Sequence, residues 1–112
     1  MRRFWLGLAI GTAIIAQGPY RVLKTVKIGG TGGYDYVDAD VEGRRVYFAR
    51  TGAMPRIEVY NLDTLEAIGQ IPSSNAHGAV VDPKSGHGFA SSKPILMFDS
   101  KDRKSTRLNS SH

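Results

Sequence analysis

The chain has 112 residues, a formal net charge of +5 and no cysteine. The lack of cysteine excludes disulfides, thiolate metal sites and covalent haem attachment. The positive charge belongs to the two ends, because residues 19–101 contain ten Lys or Arg and nine Asp or Glu. These residues form no basic stripe with interleaved aromatic residues, so nucleic-acid binding is not indicated.

The first 18 residues have the order of a secretory signal peptide. Arg2 and Arg3 precede an almost uncharged apolar run, Phe4 to Ile15, and the small residues Ala16 and Gly18 follow. The arginines hold the start in the cytoplasm while the apolar stretch enters the export channel. The run is shorter than the roughly 20 apolar residues of a spanning helix. We therefore predict a signal-peptide helix over residues 1–18 and a periplasmic or secreted protein. An uncleaved signal anchor is the alternative, and it is the one membrane association we expect.

Beyond Pro19 the sequence predicts β-strands. Apolar and polar residues alternate within short stretches that are separated by Gly, Pro, Asn and Asp, and no apolar repeat at helical spacing stands out. The predicted strands are Val22–Ile28, Tyr34–Val41, Arg45–Arg50, Ile57–Asn61 and Glu66–Ile71. The last four predict one antiparallel sheet.

The pattern then begins again. Asp40–Ala49 aligns with Asp82–Ser91 at an offset of 42 residues, and Val22–Gly29 aligns with Leu65–Pro72 at an offset of 43. Val59–Asn61 corresponds to Met97–Asp99 across a shorter loop. A period of about 40–45 residues with four strands in each unit is typical of a β-propeller.

Residues 102–112 are similar to the translation of a common DNA-sequencing adapter. We expect a non-native, unstructured tail and exclude it from the fold; a genuine polar tail is the alternative. The predicted organisation is a signal peptide over 1–18, a partial β-propeller of about one and a half blades over 19–101, and this tail.

Two segments carry a family resemblance. His77–Ser92 with Ile95–Asp99, and Ile57–Glu66, look like the YVTN-type (YncE-like) β-propeller repeats of exported bacterial proteins. In that family Asp-Pro-x-x-Gly forms the turn between the first two strands of a blade, although the first unit here has Glu42-Gly43 instead. The resemblance implies an all-β fold, with one four-stranded antiparallel blade plus part of a second. It also implies export, but no particular chemistry, because its motifs are structural turns.

Four residues are candidates for ligand binding: Tyr34, Asp35 and Tyr36, on the strand expected nearest the propeller axis, and His77 in an inter-blade loop. Hydrogen-bonded blade contacts are the alternative for this strand. A structural or exposed histidine is favoured for His77, since no carboxylate or second histidine stands at a ligand spacing on its strand.

Several other residues are expected to have structural roles, not roles in ligand binding or catalysis. Gly29–Gly33 is expected to be a flexible inter-blade loop and not a phosphate loop, because it enters a strand and lacks the Lys-Ser/Thr end. His87 is expected to begin a strand. Asp82 and Asp99 are expected to be turn residues whose carboxylates accept hydrogen bonds from backbone amides.

No residue pattern of a catalytic site is present. We find no Ser/His/Asp arrangement, no carboxylate pair with a pocket and no dinucleotide motif, and therefore predict no catalytic residue, metal site or cofactor. The predicted function is a binding or interaction scaffold for a small molecule, peptide or protein. The alternative is the propeller part of a periplasmic oxidoreductase, similar in fold to quinoprotein dehydrogenase subunits, or of a hydrolase. Its catalytic residues would then lie in further blades or in a C-terminal domain.

Overall fold

The computed structural model describes residues 18–72 and 75–107, with side chains described as far as residue 104. It contains eight strands: β1 (Tyr34–Asp40), β2 (Arg45–Arg50), β3 (Arg56–Asn61), β4 (Ala67–Pro72), β5 (Ala79–Val81), β6 (His87–Ala90), β7 (Leu96–Asp99) and β8 (Ser105–Arg107). The all-β prediction is confirmed for these ranges. Of the signal-peptide helix predicted over residues 1–18, residues 1–17 lie outside the described residues, so this prediction is not tested.

The strands form two antiparallel sheets in which chain order is also spatial order. The first sheet is β1-β2-β3-β4 and the second is β5-β6-β7-β8. The four strands predicted for the first sheet are confirmed to within a residue or two. Short connections favour this arrangement, since adjacent strands joined by tight turns pair with each other.

The prediction of a strand at Val22–Ile28 is wrong. These residues lie outside the described strands, and the side chains of Val22 and Leu23 are more than four-fifths exposed. Lys24 Nζ donates to the Thr64 carbonyl oxygen at 2.8 Å. Alternation of side chains predicts the capacity to form a strand, but a strand forms only where a partner edge accepts its backbone hydrogen bonds.

The turn from β1 to β2 has the same construction as the turn from β5 to β6. Asp40 Oδ1 accepts the Gly43 amide at 3.0 Å, and the carboxylate of Asp82 accepts two amides of its own turn at 3.2 and 3.3 Å. The fifth residue of each turn, Arg44 or Gly86, has a left-handed backbone, with φ of 57° or 79°. The two aspartates therefore occupy corresponding positions.

The turns that follow β3 and β7 also match. Asn61 Oδ1 accepts two backbone amides at 2.8 and 2.9 Å, and Asp99 Oδ1 accepts two at 2.7 and 3.3 Å. Leu65 and Arg103, each four residues later, have φ of 62° and 65°. The prediction that Asp82 and Asp99 accept backbone amides is confirmed.

Strand register repeats together with the turns. Tyr47 lies opposite Val59 in the first sheet, and Phe89 lies opposite Met97 in the second. Phe89 is the residue aligned with Tyr47 in the sequence. The two sheets thus share both turn positions and strand pairing.

The hydrophobic core lies between the two sheets. The rings of Tyr47 and Phe98 meet with centroids 5.6 Å apart, and both side chains are about 1% exposed. Burial raises the pKa of Tyr47, so its phenol stays neutral. The remaining buried hydrophobic residues are Ala49, Ile57, Val59, Ile71, Ala76, Ala90 and Leu96.

A glycine makes room for the central ring of this core. Gly88 lies opposite Phe98 in the second sheet, and a Cβ atom at Gly88 would overlap ring carbons of Phe98. Since the ring is enclosed between the sheets, it has no free space into which to move.

We expect Gly88→Ala to lower the free energy of unfolding by about 1–3 kcal/mol through overpacking. Phe98→Leu in the same chain should recover part of this loss, so the double variant should be less destabilised than the sum of the two single variants. Urea unfolding measures all three. Gly18→Ala is the control, because nothing lies within 4 Å of the added Cβ. Equal stability of the Gly88 and Gly18 variants would contradict the packing described.

The expectation that residues 102–112 lack structure is wrong for residues 102–107. Asp102 to Lys104 complete the turn after β7, and β8 pairs with β7, with Leu96 opposite Arg107. An open strand edge pairs with the backbone of any extended segment, so this pairing does not require a particular sequence. The second sheet therefore has a fourth strand that the sequence analysis did not predict. The adapter origin of the tail stays a prediction.

Hydrogen bonds in the turns favour the charged forms of two aspartates. The Ser85 hydroxyl, followed by the Lys84 amide, lowers the pKa of Asp82. The Lys101 amide, followed by that of the next residue, lowers the pKa of Asp99. A pKa lowered by folding means that the carboxylate stabilises the fold above its unfolded pKa of about 3.9. The contribution is lost as pH falls through the lower folded pKa.

We therefore expect the free energy of unfolding to decrease as pH falls below about 4, and Asp82→Asn with Asp99→Asn to weaken that decrease. Asparagine keeps one of the two acceptor oxygens, and in the first sheet the single oxygen of Asn61 is enough to accept two amides. The measurement is urea unfolding between about pH 7 and pH 3. Glu42→Gln in the exposed β1–β2 turn is the control. An unchanged pH dependence in the double Asn variant would refute this role of the two carboxylates.

Candidate functional site

Three of the four predicted site residues meet where the two sheets adjoin. Asp35 and Tyr36 are on β1, and His77 lies just before β5. His77 Nδ1 is 2.6 Å from Asp35 Oδ2, and the Tyr36 amide donates to the His77 carbonyl oxygen at 3.0 Å. The sequence analysis found no carboxylate partner for His77 because that partner comes from the other sheet, 42 residues away.

The Asp35–His77 pair leaves one imidazole nitrogen available to a ligand. An ionised carboxylate only accepts hydrogen bonds, so Nδ1 carries the proton that it shares with Asp35. In a neutral ring, Nε2 then accepts a hydrogen bond; in a protonated ring it donates one. The His77 side chain is 66% exposed, and that of Asp35 is 30% exposed, so the ring is accessible while its orientation is fixed.

Tyr36 forms one wall of an apolar groove beside this pair. The side chain is 72% exposed, although it contacts Gly78, where an added Cβ would lie 3.1 Å from Tyr36 Cβ. The groove has a volume of about 590 Å³ and is largely open to solvent. Its lining is mostly apolar and includes Tyr36, Val37, Gly78, Val80, Phe89 and Ile95.

The fourth predicted residue, Tyr34, lies apart from the groove lining. Its ring packs on the Arg50 guanidinium, 4.1 Å from the ring centroid, and stands edge-on to Phe48 at 6.4 Å. A cation over an aromatic face is an attractive contact. Tyr34 therefore has a structural contact in this state, and its ligand role stays a prediction.

Arg50 holds the Gly29–Gly33 loop in place. Its side chain is about 1% exposed, and its guanidinium donates to four carbonyl oxygens of that loop at 3.0 to 3.4 Å. It also forms an ion pair with Glu58 at 2.8 Å, and Arg56 contacts the same carboxylate oxygen at 2.8 Å. These four loop carbonyls face a cation, whereas phosphate loops direct their amides at an anion. This arrangement supports the prediction that the segment is not a phosphate loop.

We expect Arg50→Met to lower the free energy of unfolding by about 1–3 kcal/mol, because it removes the buried guanidinium that pairs with Glu58 and donates to four carbonyl oxygens of the loop. Arg50→Lys should recover little, since an ammonium group lacks the planar fork that reaches several acceptors. The measurements are urea unfolding and the rate of proteolysis within Gly29–Gly33.

Arg44→Met is the control for this experiment. Its ion pair with Asp63 is short, at 2.6 Å, but both side chains are at least half exposed, so little change is expected. Arg50 variants that match the control in stability and loop protection would contradict the role assigned to Arg50.

The groove contains a hydroxyl group that is already engaged. Ser91 Oγ accepts the Gly78 amide at 3.2 Å and lies 3.4 Å from the Gly78 carbonyl oxygen. Both contacts tie Ser91 to the backbone beside His77, which is a structural use of the hydroxyl and not the nucleophile–base contact of a hydrolase.

Comparisons with protein-family models, with curated proteins and with solved structures returned no match. The assignments of fold and function therefore depend on the residues and on their geometry.

Across residues 18–72 and 75–107, no three side chains of the His, Cys, Asp and Glu types are grouped as metal ligands would be. In the same ranges no helix is both long enough and apolar enough to cross a bilayer.

Proposed function

We propose that this chain is an exported β-propeller repeat protein of the YVTN type that acts as a binding scaffold, with its two sheets as consecutive blades. The corresponding turns and registers of the two sheets support the blade assignment, since repeat proteins stack copies of one supersecondary unit. The basic and apolar order of residues 1–18 supports export to the periplasm or beyond.

The binding site of this scaffold is the groove at Tyr36. The observation that carries the assignment is an exposed aromatic side chain that lines an apolar groove beside the oriented imidazole of His77. Tyrosine in such a position offers a large contact area at a low cost in conformational entropy. Histidine adds one directed hydrogen bond through Nε2.

An extended peptide segment fits this groove better than a small polar ligand. Small-molecule sites usually enclose most of the ligand, whereas this groove is largely open to solvent. The groove lining also includes residues of β1 and β5, which are edge strands of their sheets, and extended peptides bind along sheet edges with alternate side chains in apolar pockets. The ligand class is thus a peptide that places an aliphatic or aromatic side chain against Tyr36 and an acceptor or donor at His77.

The test uses a peptide enriched from a random displayed library against the full chain, with its affinity measured by fluorescence polarisation. We expect Tyr36→Ala and His77→Ala each to weaken binding by about tenfold or more, as alanine variants at the centre of an interface do. Tyr20→Ala and His87→Ala are the matched controls. Tyr20 is 89% exposed and outside the groove lining, and His87 begins β6, whereas His77 directly precedes Gly78, which lines the groove. Equal affinity of the Tyr36 and Tyr20 variants would exclude the groove as the binding site.

A further inference from the structure

A second cavity lies between the two sheets, at the end where the β1–β2 and β5–β6 turns are found. Its volume is about 320 Å³, and it is more enclosed than the groove at Tyr36. Both sheets contribute to its lining, and none of its lining residues is shared with that groove. We call it the turn cavity.

Arg45 lines the turn cavity with a guanidinium group that lacks a protein partner. Its Nη1 atom is buried and has no hydrogen-bond partner in the described part of the chain. Three other arginines of the first sheet and its turns, Arg44, Arg50 and Arg56, each form an ion pair. Arg45 therefore has a donor capacity that the fold itself does not use.

The carboxylate that could pair with Arg45 is used by its own turn. Asp40 lies opposite Arg45 in the β1–β2 pair, and opposite charges on facing residues attract each other. Asp40 Oδ1 instead accepts the Gly43 amide at 3.0 Å, and a Cβ atom at Gly43 would overlap the Asp40 carboxylate. The carboxylate is thus folded against its turn, and the guanidinium is left to the cavity.

A second buried donor lies beside Arg45. Tyr47 is two residues further along β2, so its side chain is on the same face of the sheet. Tyr47 is about 1% exposed, and its hydroxyl has no hydrogen-bond partner among residues 18–72 and 75–107. Buried polar groups are nearly always hydrogen-bonded. Two such donors on one face of β2, one of them lining the cavity, indicate that an acceptor binds there.

The backbone of the turn cavity argues against a phosphate group as that acceptor. Phosphate sites direct several free amides at the anion. The two glycine amides of the lining are already engaged, since Gly43 donates to Asp40 and Gly86 donates to the Asp82 carbonyl oxygen at 2.9 Å. A planar guanidinium instead matches a carboxylate, which it can bind through two parallel hydrogen bonds.

The charged side chains of the turn cavity narrow the ligand further. Arg45 and Lys101 are positive, and Asp40 and Glu42 are negative, so the four charges balance. An anion without a positive group would be repelled by the two carboxylates. A zwitterion, which has no net charge, can place its negative group at Arg45 and its positive group near Asp40 and Glu42.

From these observations we propose that the turn cavity binds a free α-amino acid, with its carboxylate on Arg45 and its ammonium group toward Asp40 and Glu42. Val81 and Pro83 supply apolar lining for an aliphatic side chain. The volume is at the lower end of the range for small-molecule sites, as a ligand of this size requires. This site does not depend on peptide binding at the groove.

The test is a titration of L-valine into the ¹⁵N-labelled full chain, followed through the amide signals of Gly43 and Gly86. These two glycines line the cavity from opposite sheets, and both signals should shift in a saturable way. N-acetyl-L-valine lacks the ammonium charge and L-valinamide lacks the carboxylate, so each should bind about tenfold more weakly or worse. These comparisons use the unaltered chain and do not depend on the folding of a variant.

Arg45→Met should weaken L-valine binding by about tenfold or more, because it removes the carboxylate partner. Arg44→Met is the matched control, since Arg44 is the neighbouring residue, is paired with Asp63 and does not line the cavity. Unchanged amide signals of Leu96, in the core of the second sheet, show that a variant is folded.

The absence of a saturable shift with L-valine would overturn the proposal. So would equal affinity for L-valinamide, which would show that no carboxylate meets Arg45. Inorganic phosphate that competes as tightly as L-valine binds would also overturn it, since the cavity would then be a simple anion site. Arg45→Met should leave peptide affinity at the groove unchanged, so failure here is distinguishable from failure of the proposed peptide site.

Discussion

The Phe98 side chain lies against Tyr47 at the centre of the surface that joins the two sheets, with ring centroids 5.6 Å apart. A sheet of this size is not stable alone, because its apolar face needs a partner surface to exclude water. Gly88 provides the space for the Phe98 ring, and the ring in turn fixes the distance between the sheets. The same contact brings β5 beside β1, which places His77 against Asp35 and its carbonyl oxygen against the Tyr36 amide.

The sequence predicted the parts of the fold that depend on interactions between residues near each other in the chain. Asp82 and Asp99 were identified as turn residues because short acceptor side chains capture nearby amides, and the strand positions followed from alternation. Two features depend on which strand edges are available for pairing, and the alternation of apolar and polar residues does not encode this. Val22–Ile28 has the pattern of a strand but forms none in the described structure, whereas residues 105–107 form β8 on the edge of β7.

The candidate site was predicted in its residues but not in its main contact. Tyr36 was identified from its place on β1, and His77 from its loop, yet their connection through Asp35 follows from the stacking of the sheets. For the Gly29–Gly33 loop, too, the sequence predicted the segment but not the contact that holds it. Its glycines indicated a loop, but Arg50, which holds it, is a strand residue that no motif singled out. Contacts between distant segments require the packed fold before they become visible.

The central claim is that each sheet is stable because the other covers it, and amide hydrogen exchange of a Phe98→Ala variant tests this most directly. The substitution removes a buried ring and should cost about 3–5 kcal/mol. If the sheets depend on each other, protection should fall by the same free energy for the amides of Ile57 and Val59 in the first sheet as for those of Ala90 and Leu96 in the second. Full protection retained in the first sheet while the second exchanges freely would contradict the account.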